Sequence, residues 1–277
     1  IGYNCCKFFQ KKNFKVKFFD NLSRKTSRIN FSNLKNTKNI ITEVVDIKNY
    51  LKVERSIIKF KPNLIINCAG QVAVTTSIKN PRLDFESNVV GTFNLLEVIR
   101  KNNLKCKFIH LSTNKVYGNL NYLKLKAKKT RYEFIKLKKG IDENYNLDFH
   151  SPYGCSKGAA DQYVSDYNRI FNLDTYVIRQ SCIYGPFQYG LEDQGWVSWF
   201  LIAAALGKPT TIFGNGKQSR DLLWIDDLCD LYLKFWNSDT FPYGTPVNAG
   251  GGLSNCISLI ELMDIMRELK ISFKEPR

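Results

Sequence analysis

Apolar positions along the chain fall into two alternating periods. Tyr3–Asn13 places Cys5, Cys6, Phe8 and Phe9 on one face, with Phe14 just beyond, and predicts an amphipathic helix. Lys15–Asp20 reads as a short strand ending in an acid, and Ile41–Val45 as another, followed by Asp46. Tyr50–Phe60 predicts a helix that stops before Pro62, because the residue ahead of a proline is pushed out of the helical region. Leu64–Cys68 predicts a buried strand, Asp84–Lys101 a long helix, Lys107–Leu111 a further apolar strand, Ser156–Phe171 a helix and Thr175–Ile178 a strand. Helices are also expected over Leu228–Trp236, capped by Asp226-Asp227, and over Leu259–Leu269. Gly214–Asp221 reads as a hairpin turn leading into a strand. The strand–helix rhythm predicts an α/β fold built on a doubly wound parallel sheet with helices on both faces.

Such a sheet should open with a strand, a Gly-rich turn and a helix. Here the helix follows Ile1-Gly2 at once. Gly2 therefore reads as the last glycine of that turn, and the chain as a segment of a longer one, clipped at both ends.

Composition narrows the class. The chain has 277 residues, 44% of them hydrophobic, enough for one large α/β domain with a smaller appendage. No apolar run approaches the roughly 18 residues of a membrane span. The first residues lack the basic and apolar blocks of a secretory leader. The net charge of +16 comes from lysines spread along the chain, densest over Lys124–Lys139, without the basic–aromatic alternation of a nucleic-acid platform. It reads as a lysine-rich background that adds attraction for a diphosphate. No CxxC pair occurs among the eight cysteines, which are expected to be reduced and mostly buried in a cytoplasmic protein. His110 and His150, the only histidines, point to no metal site.

The chemistry concentrates in Tyr153-Gly-Cys-Ser-Lys157. A spacing of four puts both side chains on one helix face, where an ammonium can lower a phenol's pKa and make it a base. The same spacing recurs at Tyr3/Lys7, Tyr122/Lys126 and Tyr132/Lys136, so spacing alone decides little. Tyr153 differs in context: Ser151-Pro152 marks a helix start, and an upstream strand ends in Leu111-Ser112-Thr113. In a parallel sheet, strand ends and helix starts converge on one crevice. Asp20 lies about 20 residues beyond Gly2, where an acid binds the adenosine ribose and favours NAD over NADP. Arg24 is close enough in sequence to reach a phosphate instead.

Ser112–Gly118, Tyr153/Lys157 and the strand-ending Asp20 together resemble extended short-chain dehydrogenase/reductases that modify nucleotide sugars. The resemblance extends through Phe19–Arg24, Ala69–Ser77, Leu147–Tyr163 and Asp193–Val197, and covers essentially the whole chain. It implies a Rossmann-like NAD-binding domain over 1–180 and a mainly substrate-binding region over 181–277, with 219–238 packing back on the first. It implies a catalytic set of Thr113, Tyr153 and Lys157. NAD contacts are expected at Gly2, Asp20, Asn21, Arg24, Asp46, Ile47, Ala69, Gln71, Asn88, Tyr153 and Lys157. Substrate contacts are expected at Thr113, Asn114, Gln194 and Arg220. The implied reaction is NAD-dependent epimerisation of a nucleotide sugar, at carbon 2 of a CDP-linked sugar. A 4-epimerase acting on a UDP-sugar, a 4,6-dehydratase, and a non-catalytic NAD- or RNA-binding module are the alternatives. The family's dehydratases carry Asp-Glu after the catalytic Thr, where this chain has Asn114-Lys115. A homo-oligomer, dimer or tetramer, formed through Asp84–Lys101 and Ser156–Phe171, is implied by analogy.

Overall fold

A computed structural model describes residues 1–137, 139–238 and 240–277. Lys138, within the lysine-dense run, and Asp239 lie outside the described residues. The elements are α1 (Gly2–Lys11), β1 (Val16–Asp20), α2 (Lys25–Leu34), β2 (Ile40–Val44), α3 (Tyr50–Phe60), β3 (Leu64–Asn67), α4 (Val74–Lys79), α5 (Pro81–Phe85), α6 (Gly91–Lys101), β4 (Lys107–Thr113), β5 (Leu125–Ala127) and β6 (Tyr132–Phe134). They continue with α7 (Pro152–Phe171), β7 (Thr175–Gln180), β8 (Cys182–Tyr184), α8 (Trp196–Ala205), β9 (Ser219–Trp224), α9 (Ile225–Asn237), β10 (Pro246–Ala249), β11 (Cys256–Ser258) and α10 (Leu259–Glu268).

The strands pair in parallel in the order β10-β7-β4-β3, beside a separate parallel pair β1-β2. Helices cover both faces, as the strand–helix rhythm predicts. One core layer packs Phe9, Ile109, Tyr176, Leu228 and Phe235 between the sheet, α1 and α9. The opposite layer packs Val53, Leu96, Phe108, Val164 and Val177 between the sheet, α3, α6 and α7. Each fully buried side chain of this size contributes about 1.5–3 kcal/mol. A third cluster joins Phe200, Leu222, Leu262 and Met266 over the small mixed sheet β11-β9-β8. The chain crosses between these regions more than once: α9 returns to α1, and β10 pairs with β7.

Three expectations need correction. Asp84–Lys101 is not one continuous α-helix: α5 ends at Phe85, Glu86–Val90 forms a π-turn, and α6 begins at Gly91. Asp84 and Asn88, four residues apart and so on one face, are both buried, and the π-turn changes the register of the helix only beyond Glu86. The turn at Gly214–Lys217 does not close a hairpin, because the chain ahead of it pairs instead with Arg277, through Ile212 N–H to the Arg277 carbonyl (2.9 Å) and back to the Thr210 carbonyl (3.0 Å). β9 pairs with β8 and β11. Asp226 and Asp227 do not cap α9; the N-cap is Trp224, and the two acids sit in the first turn, facing the positive end of the helix dipole.

Candidate active site

The carboxyl ends of β1 to β4 and the start of α7 carry most of the polar residues singled out in the sequence. α7 starts sharply because Ser151 Oγ accepts the Gly154 N–H (3.0 Å) and Pro152 occupies the first turn. A Cβ on Gly154 would sit 3.2 Å from the Lys115 carbonyl, so this glycine lets α7 press against the turn that follows β4. Tyr153, Lys157 and Thr113 are all buried. Thr113, the last residue of β4, accepts the Lys115 N–H (3.3 Å), and its hydroxyl lies close enough to that of Tyr153 to pull the phenol's pKa down against its burial.

The electrostatics differ from a simple phenol–ammonium pair. Burial pushes the Tyr153 phenol above its ordinary value, and the Thr113 hydrogen bond opposes that push. The Lys157 ammonium donates to the Leu111 carbonyl. Burial lowers its pKa from 10.5 to about 8, with Asp161, Cys68 and Asp84 pulling the other way. His110, inside β4, is held neutral by burial and by the nearby Lys157 charge.

Three polar ties fix the first half of α7. Ser156 Oγ donates to Asp84 and accepts from Asn88 Nδ2 (2.9 Å). Asn88 also accepts the Gln71 N–H (2.9 Å) and donates to its carbonyl (3.1 Å), while Gln71 Nε2 donates to Asp84 (2.8 Å). Gln71 and Asn88 thus use their amides to hold the loop after β3 against α7. Lys157 ties α7 to β4 through Leu111. Asp161, one turn further on, accepts from Ser112 Oγ (2.8 Å) and from both Nε (2.8 Å) and Nη2 (3.1 Å) of Arg179. Sequence reasoning missed Asp84, Ser156, Asp161 and Arg179. For Asp161 a cue was present, since it lies four residues beyond Lys157 and so on the same face.

On the adenosine side, Asp20 ends β1 with Oδ1 accepting the Leu22 N–H (2.7 Å) and its second oxygen unpartnered among the described residues. Asn21 Nδ2 donates to Asp46 Oδ2 (3.1 Å), and Asp46 Oδ1 accepts the Lys48 N–H (2.9 Å). Ile47 is buried against Gly91, and Ala69 packs in the same layer. Gly2 opens α1 between the Phe18 ring and Cys68. This edge fits a dinucleotide: an acid with a free oxygen, a helix start beside it, and a buried hydroxyl pair with a lysine at the other end.

Residues 185–195 strap this edge from above. Asn4 donates to the Pro186 carbonyl (2.9 Å), Asn30 to the Phe187 carbonyl (3.3 Å), and Thr75 to Asp193 (2.6 Å). Arg24 Nη1 donates to Gln194 Oε1 (2.6 Å), so Gln194 meets a residue expected on the cofactor side. Arg220 is exposed on β9 and, among the described residues, its guanidinium donates to the Ser219 carbonyl (2.8 Å). It does not pair with Asp221, which accepts the Gly251 N–H (2.7 Å). Asn114 is exposed in the turn after Thr113. Lys115 beside it is lowered below its ordinary pKa by burial and by the charge of Arg220.

The family described as "NAD dependent epimerase/dehydratase family" matches residues 1–250. A CDP-paratose 2-epimerase from Salmonella typhi is 45% identical over 273 residues, 97% of this chain and 81% of that protein. Two solved structures are each 25% identical with a TM-score of 0.78. A UDP-glucose 4-epimerase with UDP-glucose from Thermotoga maritima is covered over 82% of its length and 100% of this chain. A dTDP-glucose 4,6-dehydratase from Bacillus anthracis in complex with NAD is covered over 81% of its length and 100% of this chain. With this match added to the parallel sheet and its polar edge, the chain belongs to the NAD-dependent epimerase/dehydratase family of nucleotide-sugar enzymes, and NAD is its cofactor.

Proposed function

We propose that this enzyme interconverts CDP-paratose and CDP-tyvelose at carbon 2, with Tyr153 as the acid–base residue and Thr113 and Lys157 completing the set. The observation that carries this reading is the buried Thr113–Tyr153 hydroxyl pair with Lys157 one turn along α7, in a chain 45% identical to a CDP-paratose 2-epimerase. NAD, when bound, supplies a reversible hydride acceptor and a positively charged ring. Tyr153 takes the proton from the sugar hydroxyl and returns it after the sugar has turned its opposite face. Thr113 holds that hydroxyl within reach, and Lys157 supplies the positive charge that offsets the burial of a phenolate. Asp20 takes the adenosine ribose through its free oxygen, and Arg220 takes the substrate diphosphate, which suits a guanidinium fork.

Asn114-Lys115 replaces the acidic pair a dehydratase needs for eliminating water, which favours epimerisation. A 4-epimerase shares the catalytic set and remains the second reading. Exposed Phe93, Tyr163, Ile170 and Phe171 along α6 and α7 support pairing with a second copy. Cysteines without disulfides among the described residues support a cytoplasmic setting.

NMR of the sugar after incubation with NAD and either CDP-paratose or UDP-galactose distinguishes the two epimerase readings. Tyr153→Phe should abolish turnover while nucleotide-sugar affinity is kept. Full turnover in that variant would refute the assignment.

A further inference from the structure

The rim of the crevice on the sugar side is set by strand register. Thr113, at the end of β4, lies opposite Gln180, at the end of β7. Two residues on, Cys182 opens β8 opposite Leu222, and Arg220 precedes Leu222 by two on β9. The turn that carries Lys115 begins directly after Thr113. Its backbone is clamped: the Lys115 N–H bonds Thr113 Oγ1, and its carbonyl abuts Gly154, next to Tyr153. Lys115 is therefore a cation on a fixed mount beside the catalytic hydroxyls. Its side chain is exposed, while the surrounding protein and the charge of Arg220 hold its pKa below the ordinary value. Neither Lys115 nor Arg220 has a carboxylate partner among the described residues, and the charge of Arg220 helps to lower the pKa of Lys115. Two neighbouring cations with no counter-charge repel each other, and an anion that joins them removes that repulsion.

We propose that Lys115 binds the β-phosphate of the nucleotide sugar and thereby directs carbon 2, rather than carbon 4, to Tyr153. The inference rests on the carbon-2 reading of the function and deepens it. Carbon 2 adjoins the anomeric carbon that bears the phosphate, whereas carbon 4 lies across the ring. An enzyme that reacts at carbon 2 must hold the β-phosphate close to its catalytic hydroxyls. One that reacts at carbon 4 holds it a ring's width away. A cation two residues from Thr113 is placed for the first arrangement, with Arg220 further out taking the rest of the diphosphate.

Calorimetric titration of the whole chain with CDP and with CMP tests this. Lys115→Met should weaken CDP about tenfold, the value of one charge-assisted contact. CMP, which lacks the β-phosphate, should bind the variant as before. Lys126→Met, on an exposed strand remote from the rim in sequence, should change neither and so controls for the bulk charge. Unchanged CDP affinity in Lys115→Met, or equal losses for CDP and CMP, overturns the assignment. If the unsubstituted protein epimerises UDP-galactose and not CDP-paratose, the functional reading has failed instead. If it epimerises CDP-paratose and Lys115→Met still binds CDP normally, only the role of Lys115 has failed.

Discussion

Lys157 should make the fold less stable than it would be without its charge, by an amount readable from pH. Burial lowers its pKa from 10.5 to about 8. At 1.36 kcal/mol per pK unit, carrying the proton inside the fold costs about 3 kcal/mol. Below pH 8 both folded and unfolded chains hold that proton, and the full cost is present. Between about pH 8 and 10.5 the unfolded chain still holds it while the folded one has shed it, so stability rises with pH. Above 10.5 the cost is gone. Lys157→Met has no such group. The unfolding free energy of the unsubstituted protein minus that of the variant should therefore climb by about 3 kcal/mol from pH 7 to 11. Losing the bond to the Leu111 carbonyl shifts the whole difference by about 1–3 kcal/mol but adds no slope. Urea unfolding of the cofactor-free proteins, followed by tryptophan fluorescence at successive pH values, measures the difference directly, and titrations of groups that do not feel the Lys157 charge cancel. A flat or falling difference would show that the Lys157 site is far better solvated than its burial implies.

Two further outcomes follow from the geometry. Arg179→Met leaves the fully buried Asp161 carboxylate without both its guanidinium bonds and should cost about 3–5 kcal/mol, lowering the melting temperature by roughly 10 °C; Asp161→Leu in the same chain should restore most of it, and a neutral single variant would disprove a desolvated pair. Removing two of the strap's four clasps, with Thr75→Val and Gln194→Ala, should speed NAD release about tenfold, measured by dilution of the loaded protein, and an unaltered release rate would mean that these two contacts do not restrain the cofactor.

Local features were the legible ones. Ser151-Pro152 specifies the start of α7 through a side chain and a fixed φ acting within one turn, and both can be read from a single stretch of sequence. Strands β3, β4 and β7 announced themselves as apolar runs because both of their faces are buried. The π-turn at Glu86–Val90 did not, since its residues carry no local pattern that sets it apart from regular winding, and the partners of its Asn88, Gln71 and Ser156, come from other parts of the chain. The three-residue strands β8 and β11 carry too little pattern to stand out, and β9 is defined by its partners rather than by the turn before it. The Arg24–Gln194 contact joins residues far apart in sequence and of ordinary surface type. Lys115 was visible only as a departure from the dehydratase pair.

The polar groups at the sheet edge divide into those tied behind α7 and those left open in front of it. Asp84, Asn88, Ser156, Asp161 and Arg179 are buried, and an apolar version of the same helix face would stabilise the fold at least as well. What hydrogen bonds add that apolar packing does not is direction. They fix the rotation and the axial position of α7 against β4 and against the loop after β3. The Tyr153 hydroxyl inherits that placement, and a displacement of about 1 Å in a reacting group costs on the order of a hundredfold in rate. In front, Asn114, Lys115, Arg220 and one oxygen of Asp20 have no side-chain partner among the described residues. Water could satisfy each of them alone, but the charge of Arg220 acts on Lys115 and disfavours the lysine's own charge. On the proposed reading a sugar diphosphate cancels that repulsion, so the CDP and CMP titrations of Lys115→Met test the unpaired charges more directly than any measurement on the paired ones.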